Sequence, residues 1–178
     1  MSEALVGKRV CLLTGGPGAG KTTIIKRALE RTRVSAGGFF TEEIRLGGVR
    51  QGFKIVTLDG QSAALSHVDI KGPYRVGKYG VDVEALDKVG VAAIREAVRE
   101  HELVVIDEIG KMELLSDSFK EAVEGARNSG KRVLGTIMLA SHPWADRVKR
   151  SPDVTTVTVT RSNRDSILEQ VVWWVEEP

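Results

Sequence analysis

The chain has 178 residues, with 26 Lys and Arg against 24 Asp and Glu, so its formal net charge is +2 at pH 7. This length suits one domain with a buried core, and the near-balanced charge argues against a protein that coats a polyanion. The single cysteine, Cys11, excludes an intrachain disulfide and a metal cluster held by cysteines. No stretch reaches the roughly 20 apolar residues of a membrane helix. Residues 1–16 do not have the form of a signal peptide, so we expect a cytoplasmic protein.

The N-terminal part predicts a strand, a glycine loop and a helix in succession. Residues 8–14 read KRVCLLT, an apolar run without clean alternation that is typical of a strand buried on both faces of a parallel sheet. The following segment, GGPGAG at 15–20, cannot continue that strand. Lys21 then opens a helix with apolar residues at roughly helical spacing. Strand, loop and helix in this order are the first unit of an α/β fold.

The stretch from about 37 to 70 departs from this pattern and predicts antiparallel β structure. GGFFTEEIRL and RQGFKIVTLDG are two strand-like segments joined by a Gly-Gly turn, and SAALSHVDI is a third strand after an Asp-Gly turn. We interpret the stretch as a small β-rich insertion or sheet edge within one domain that spans residues 1–178. Residues 71–80 are expected to form a loop.

The second half of the chain predicts three further strands and three further helices. The strands are apolar or β-branched runs at 103–106, 132–139 and 154–160. The helices lie at 83–100, 118–129 and from 162 onward. The second helix begins with a capping box, Ser118 to Glu121. The predicted fold is therefore α/β, with a mainly parallel sheet flanked by helices.

The glycine loop and the residues after it match the phosphate-binding pattern G-x-x-x-x-G-K-[ST] in full. Glycines let successive backbone N–H groups turn toward one anion, and the helix that follows adds the positive end of its dipole. Lys21 is expected to reach the β- and γ-phosphates as a catalytic residue, Thr22 to ligate Mg²⁺, and Thr23 to bond an α-phosphate oxygen. The predicted nucleotide-binding residues of this loop are Gly15, Gly16, Pro17, Gly18, Ala19, Gly20, Lys21, Thr22 and Thr23.

The strand at 103–106 ends in Asp107 and Glu108, and so resembles a Walker B strand. An apolar strand of a parallel sheet delivers such carboxylates to the carboxyl edge, where ligands bind in open α/β sheets. We expect Asp107 to hold Mg²⁺ and Glu108 to be catalytic, orienting or deprotonating the attacking water. A base aimed at water favours hydrolysis over transfer to a second substrate.

Further charged residues lie near these motifs. Lys111, four residues after Asp107, is a candidate phosphate contact, whereas Glu113 is by default a solvated loop charge. A basic residue of the insertion or its exit loop is a candidate internal arginine finger. The sequence does not choose among the four that are present, which are Arg45, Arg50, Arg75 and Lys78.

Several segments together resemble a known family. In chain order they are GGPGAGKTT, SAGGFFTEEIR, GFKIV, KYGVDVEAL, VVIDEIGKMEL and a late NRD. Their order, over nearly the whole chain, resembles the thermophile-type nucleoside-triphosphatases, called cancer-related in their animal branch. The resemblance implies a RecA-like P-loop domain. It also implies Mg²⁺-dependent hydrolysis of nucleoside 5′-triphosphates to diphosphate and phosphate, with loose base preference.

The resemblance further implies two nucleotide-binding stretches, 15–22 and 103–110. The second consists of Leu103, Val104, Val105, Ile106, Asp107, Glu108, Ile109 and Gly110. Asn163 and Arg164 match the late motif, which places them near the base. The chain departs from the family's pattern at 136–138, so the resemblance assigns no base or ribose contact there.

Two other functions stay open at this level. A small-molecule or nucleotide kinase would hydrolyse slowly until an acceptor is added, and KGPYRVGKYG at 71–80 is short for the Arg-rich lid that we expect of such an enzyme. A nucleic-acid-stimulated ATPase needs a basic surface, for which the candidates are Arg147, Lys149 and Arg150. The partners we expect are nucleoside triphosphates as substrate, bound by a monomer, with no membrane partner; nucleic acid stays possible without support from the sequence.

Overall fold

Nine strands of the described chain, residues 5–177 of a computed structural model, hydrogen-bond into one sheet. They are β1 (Val10–Thr14), β2 (Ala36–Leu46), β3 (Val49–Thr57), β4 (Ser62–His67), β5 (Arg75–Val76), β6 (Tyr79–Val81), β7 (Leu103–Ile109), β8 (Arg132–Ile137) and β9 (Val154–Thr158). Their order across the sheet is β5-β6-β4-β3-β2-β7-β8-β1-β9. Residues 1–4 and 178 lie outside the described part of the chain. They are the ends of the predicted domain, and the first four also begin the stretch that we expect not to be a signal peptide. The single-domain organisation stays a prediction.

One half of the sheet is parallel and carries the long apolar strands. β2 pairs with β7, β7 with β8, β8 with β1 and β1 with β9, all in parallel. β1 lies between two neighbours and is buried along its whole length, which explains its unbroken apolar sequence. Burial raises the pKa of the Cys11 thiol in this strand to about 12. The predicted α/β fold, with a sheet flanked by helices, is confirmed.

The other half is antiparallel and continues the same sheet. β3 pairs with the distal part of β2, and β4, β6 and β5 follow it outward. The stretch predicted as an insertion or sheet edge is therefore an extension of the edge. The loop predicted at 71–80 is wrong in part, because β5 and the start of β6 form a short hairpin there. Its Tyr79 ring packs edge-on against Phe53 of β3, with centroids 5.7 Å apart, which holds the hairpin against the sheet.

The helices cover both faces of the sheet. They are α1 (Lys21–Arg31), α2 (Val83–Ala85), α3 (Ala92–Glu100), α4 (Asp117–Asn128), α5 (Pro143–Lys149) and α6 (Arg164–Glu176). α1 and α6 bury apolar residues on one face, and α3, α4 and α5 do so on the other. Adjacent residues of β2 show the division, because Phe39 packs against Phe119 of α4 whereas Phe40 joins the opposite core. On α6, the buried Trp174 donates its indole N–H to the carbonyl of Lys8 at 2.8 Å.

The predicted helix at 83–100 contains a change of pitch. α2 begins after Asp82, whose carboxylate accepts a hydrogen bond from the amide of Ala85 at 2.8 Å. A π-helical segment, Leu86–Val91, joins α2 to α3. The segment packs Leu86 and Val91 into the core beside β3 and β4.

The start of α4 differs from the prediction by two residues. The sequence predicts a capping box at Ser118, but Ser118 lies inside the helix and Ser116 is the N-cap. The Ser116 hydroxyl accepts the amide hydrogen of Phe119 at 2.9 Å and donates to Asp87. The Phe119 side chain is completely buried. The cap at Ser116 therefore starts the helix in the turn that carries this ring into the core.

We therefore expect Ser116→Ala to lower the free energy of unfolding by about 1 kcal/mol, the usual cost of losing a side-chain N-cap. Urea denaturation with matched baselines measures the effect. Ser118→Ala is the control, and its change is expected to stay within about 0.5 kcal/mol because Ser118 caps nothing. A larger loss for Ser118→Ala than for Ser116→Ala would contradict the assignment.

Candidate active site

The glycine loop joins the end of β1 to the start of α1. At Gly15 the backbone φ is +145°, and a Cβ there would lie 2.4 Å from the carbonyl oxygen of Val159. Gly20, with φ +102°, is the N-cap of α1 and turns the chain into the helix. Both positions therefore need glycine. The loop and the first turn of α1 line one cavity, and a helix N-terminus in such a place favours an anion.

Lys21 lies on the inner side of this loop. Its ammonium donates to the carbonyl oxygens of Gly15 and Gly16 at 2.9 and 3.1 Å. The two hydrogen bonds hold the long side chain across the loop rather than in solvent. The positive charge is thus next to the anion-binding amides, as predicted for a lysine that contacts phosphates.

Asp107 ends the buried part of β7 and is only 2% exposed. One carboxylate oxygen accepts the Thr136 hydroxyl at 2.6 Å. The other oxygen, Oδ2, is buried without a hydrogen-bond partner among the described residues. Burial raises the pKa of Asp107, and the hydroxyls of Thr136 and of the nearby Thr22 oppose that rise. A buried, half-satisfied carboxylate beside a hydroxyl is a suitable oxygen donor set for a hard divalent cation.

Glu108 follows Asp107 across a cis peptide bond and lines the same pocket. Burial and the neighbouring charge of Asp107 raise the pKa of Glu108, while Lys21 lowers it. Thr41 of β2 donates its hydroxyl to the Asp107 carbonyl at 2.8 Å and so fixes the backbone between the two carboxylates. Glu108 is thus a desolvated carboxyl group, and the charges of Asp107 and Lys21 both act on it.

Glu113 is the main site residue that the sequence misassigned. The default of a solvated loop charge is wrong, because Glu113 is 3% exposed in a 3₁₀ turn and lines the pocket. Burial and the nearby Glu108 raise its pKa to about 8. Oxygens of Glu108 and Glu113 lie 2.5 and 3.0 Å from the point that a Cβ on Gly110 would occupy. Gly110 therefore leaves the space that both carboxyl groups fill. The sequence around Glu113, IGKMELL, gives no signal of this burial.

These groups border one cavity of about 600 Å³ at the carboxyl edge of the parallel strands. The predicted residues that line it are Gly15, Gly16, Pro17, Gly18, Gly20, Lys21, Thr22, Thr23, Asp107, Glu108, Lys111 and Arg50. Residues that sequence reasoning did not assign to the site also line it, namely Thr41, Glu43, Phe53, Val76, Met112, Glu113, Ile137, Met138, Leu139 and Ala140. Their positions depend on how distant strands pair, and no local pattern gives that pairing.

Several predicted residues lie away from the pocket wall. Leu103 to Ile106 are buried strand positions that carry Asp107 to the edge, and Ala19, Ile109 and Gly110 are not among the lining residues. Of the four arginine-finger candidates, only Arg50 lines the cavity. Arg45 donates to Glu43 and to the Gly48 carbonyl, while Arg75 donates to the Lys78 carbonyl.

The late motif lies beside the glycine loop rather than in the cavity wall. Asn163 bonds its own loop, accepting from the amide of Thr160 at 2.8 Å and donating to the carbonyl of Thr158 at 3.0 Å. The Arg164 side chain approaches to 3.7 Å from the point that a Cβ on Gly20 would occupy. Arg164 is therefore next to the phosphate-binding loop, on the α6 side.

Thr136 lies in the stretch 136–138, to which the resemblance assigns no base or ribose contact. Its hydroxyl donates to Asp107 from within β8 and is completely buried, so it positions a carboxylate instead of bordering a base or ribose. In the basic segment at 147–150, Lys149 forms an ion pair with Asp146 at 3.6 Å. Among the described residues, no helix is both long and apolar enough to cross a membrane. The cytoplasmic location and the monomeric state stay predictions.

Known proteins resemble the chain over almost its whole length. A family model described as NTPase matches residues 10–172. The nucleoside-triphosphatase THEP1 of Thermotoga petrophila is 48% identical over 162 residues, which cover 91% of this chain and 90% of that protein. THEP1 of Methanocaldococcus jannaschii is 39% identical over 164 residues, covering 90% of this chain and 93% of that protein.

Two solved structures share the fold. The crystal structure of THEP1 from Aquifex aeolicus matches with a TM-score of 0.86 and 35% identity, over 94% of this chain and 99% of that one. The solution structure of a human cancer-related nucleoside triphosphatase matches with a TM-score of 0.80 and 38% identity, over 96% and 98%. The resemblance found in the sequence motifs is thereby confirmed, and the chain belongs to the NTPase family.

Proposed function

We propose that this chain hydrolyses nucleoside 5′-triphosphates to nucleoside diphosphate and phosphate, with Mg²⁺ and with loose base preference. Nucleoside-triphosphate hydrolysis follows from membership of the NTPase family. The roles of single residues, the metal and the base preference are our proposal. The observation that carries them is the convergence of Lys21, Asp107 and Glu108 on one cavity.

Binding in this proposal depends mainly on the phosphates. The glycine-loop amides, the N-terminus of α1 and the Lys21 ammonium all act on the triphosphate tail. Thr23, in the first turn of α1, lines the cavity and is our candidate for a contact with the α-phosphate. Because every nucleoside triphosphate carries this tail, these contacts do not distinguish one base from another. Loose base preference is the expected result.

Thr22 and Asp107 are the residues that would hold Mg²⁺. The unpartnered Oδ2 of Asp107 and the adjacent Thr22 hydroxyl support this assignment. When bound, Mg²⁺ would neutralise charge on the β- and γ-phosphates. Thr136 holds the Asp107 carboxylate in one orientation through its 2.6 Å hydrogen bond. It therefore acts as a positioning residue.

Glu108 is the proposed general base. It is mostly buried, and its raised pKa brings its basicity closer to neutral pH, where a general base works best. It can accept a proton from a water molecule that attacks the γ-phosphorus. Lys21, across the cavity, stabilises the charge on the transferred group.

Phosphate release with each of ATP, GTP, CTP and UTP, in the presence of Mg²⁺ and no other substrate, tests the proposal as a whole. We expect comparable release from several triphosphates. Lys21→Ala should abolish binding and release, since it removes the charge at the glycine loop. Lys26→Ala is the matched control, because Lys26 lies one turn further along α1 and pairs with Glu42 at 2.8 Å. Triphosphate binding without release in the wild-type protein would contradict the proposed hydrolysis.

For Glu108→Gln we expect a loss of kcat of about 10²- to 10⁴-fold with nucleotide affinity kept, because the amide keeps the shape but cannot take a proton. Steady-state phosphate release, with calorimetric titration of a non-hydrolysable analogue, separates the two effects. Near-normal turnover would exclude Glu108 as the base.

Thr136→Val should weaken Mg²⁺ binding, and so raise the Mg²⁺ concentration needed for activity, without changing the fold. The isosteric side chain removes the hydrogen bond to Asp107, and loss of such a partner typically lowers metal affinity about 10- to 100-fold. Titrating Mg²⁺ at saturating ATP measures the shift in the half-activating concentration. Thr156→Val in β9 is the control, because its buried hydroxyl has no hydrogen-bond partner among residues 5–177. An equal shift in both variants would argue against a positioning role for Thr136.

The raised pKa of Glu113 predicts that the stability of the folded protein depends on pH. Its pKa of about 8 in the folded protein exceeds the ordinary value of 4.5, so between these limits the folded state keeps a proton that the unfolded state loses. The free energy of unfolding therefore falls as pH rises through this window. Glu113→Gln removes that loss, so its Tm should exceed the wild-type Tm by several degrees at pH 8 and by little at pH 5.

Thermal unfolding at pH 5, 6.5 and 8, without nucleotide and with a chelator present, checks this expectation. Glu121→Gln, at an exposed position of α4, is the control for removing a carboxylate. A Tm difference between Glu113→Gln and the wild type that does not change with pH would show that Glu113 is ionised in the folded protein.

A further inference from the structure

The far side of the cavity is formed by the hairpin of β2 and β3. The last parallel pair between β2 and β7 joins Phe40 to Asp107, yet β2 continues for six more residues to Leu46. At about 3.4 Å per residue, Glu43 stands roughly 10 Å beyond the level of Asp107. Phe53 of β3 lies opposite Glu43 in the register. The hairpin therefore rises past the edge of the sheet as a side wall of the cavity.

We call this surface the hairpin wall, and it consists of Thr41, Glu43, Arg50, Phe53 and, from β5, Val76. The glycine loop follows β1, which is two strand positions from β7, or about 10 Å. β3 lies two strand positions from β7 on the side away from β1, which adds about 10 Å. The cavity thus extends well beyond the carboxylates that mark its catalytic end.

A bound triphosphate would leave this wall free, if the proposed function holds. With its α-phosphate near Thr23 and its γ-phosphate near Glu108, the phosphate chain runs away from β1 toward β7. The sugar and base then leave on the opposite side, toward the glycine loop and α6. The hairpin wall faces the γ-phosphate from the side opposite the leaving group, which is the side of in-line attack.

The chemistry of the wall combines a flat apolar surface with an oriented cation. The Arg50 guanidinium lies 5.1 Å from the centre of the Phe53 ring, and Glu43 and the Tyr79 hydroxyl fix it at 2.9 and 3.1 Å. Met112 and Met138 add adaptable apolar surface beside it. This arrangement suits a ring that stacks on Phe53 and a negative charge that pairs with Arg50.

A second cation borders the same cavity. Lys111 borders the cavity, and its ammonium has no hydrogen-bond or ion-pair partner among the residues that the structure describes. Most other basic side chains near the site are paired, as Lys26 is with Glu42 and Arg45 with Glu43. An anionic group held by Lys111 would therefore lie next to the γ-phosphate, with a ring attached to it reaching Phe53.

We propose that the hairpin wall and Lys111 form a second ligand subsite, which takes a nucleoside 5′-monophosphate or a similarly flat, anionic molecule while a triphosphate occupies the glycine loop. This inference rests on the proposed function for the orientation of the triphosphate. The bound monophosphate occupies the side from which water attacks. It consequently lowers the rate of phosphate release without competing for the triphosphate site.

Calorimetric titration of AMP and UMP into the protein loaded with Mg²⁺ and a non-hydrolysable GTP analogue tests the subsite directly. We expect binding to the loaded protein, and a dissociation constant about tenfold higher in Arg50→Ala and in Phe53→Leu. Arg45→Ala is the matched control, because Arg45 lies on the same hairpin and pairs with the same Glu43 but does not border the cavity. In parallel, AMP should lower kcat for GTP in the wild-type protein and leave KM unchanged.

Three results would overturn the subsite. They are no binding at several millimolar monophosphate, displacement of the analogue by the monophosphate, and equal effects of Arg50→Ala and Arg45→Ala. A higher KM for GTP in Phe53→Leu would also overturn it, since the wall would then hold the base of the triphosphate. Failure of the proposed hydrolysis is separate, because it would appear as absent phosphate release while the titration still reports on the subsite.

Discussion

A buried carboxylate at the edge of a parallel sheet is the constraint around which this site is built. Asp107 is almost completely removed from water, and burial by itself favours its neutral form. The hydroxyl of Thr136 in β8 compensates part of that cost through a hydrogen bond and leaves one oxygen unpaired. The strand order places β7 and β8 beside β1, so the packing of the sheet also fixes the distance between this carboxylate and the glycine loop.

The long β2 strand links the two halves of the molecule. Its first residues pair in parallel with β7 and support the catalytic edge, while its last residues pair with β3 outside that edge. Phe39 and Phe40 anchor it in both cores, which makes the base of the hairpin rigid. The antiparallel extension therefore forms part of the wall of the candidate site.

The local parts of the site could be predicted from sequence, and the non-local parts could not. The loop motif predicts that Lys21 and Thr22 belong to the site, the apolar strand before Asp107 and Glu108 predicts the same for them, and all four line the cavity. Glu113 was assigned to solvent because nothing in its neighbourhood reveals that the 3₁₀ turn folds back under Glu108. The choice of Arg50 among four basic residues likewise depends on strand pairing. Such contacts arise from tertiary packing, to which sequence periodicity is blind.

The burial of Cys11 has a consequence for how the protein's motions can be followed. Cys11 is the second residue of β1, the strand that leads into the glycine loop, and the pKa of about 12 keeps its thiol un-ionised. Only the thiolate reacts with alkylating reagents, so the folded protein should be inert to them. Since this is the chain's single cysteine, any labelling reports the opening of that one strand. The rate at which Cys11 is labelled would thus report how often β1 opens beneath the glycine loop, and how far a bound nucleotide suppresses that opening.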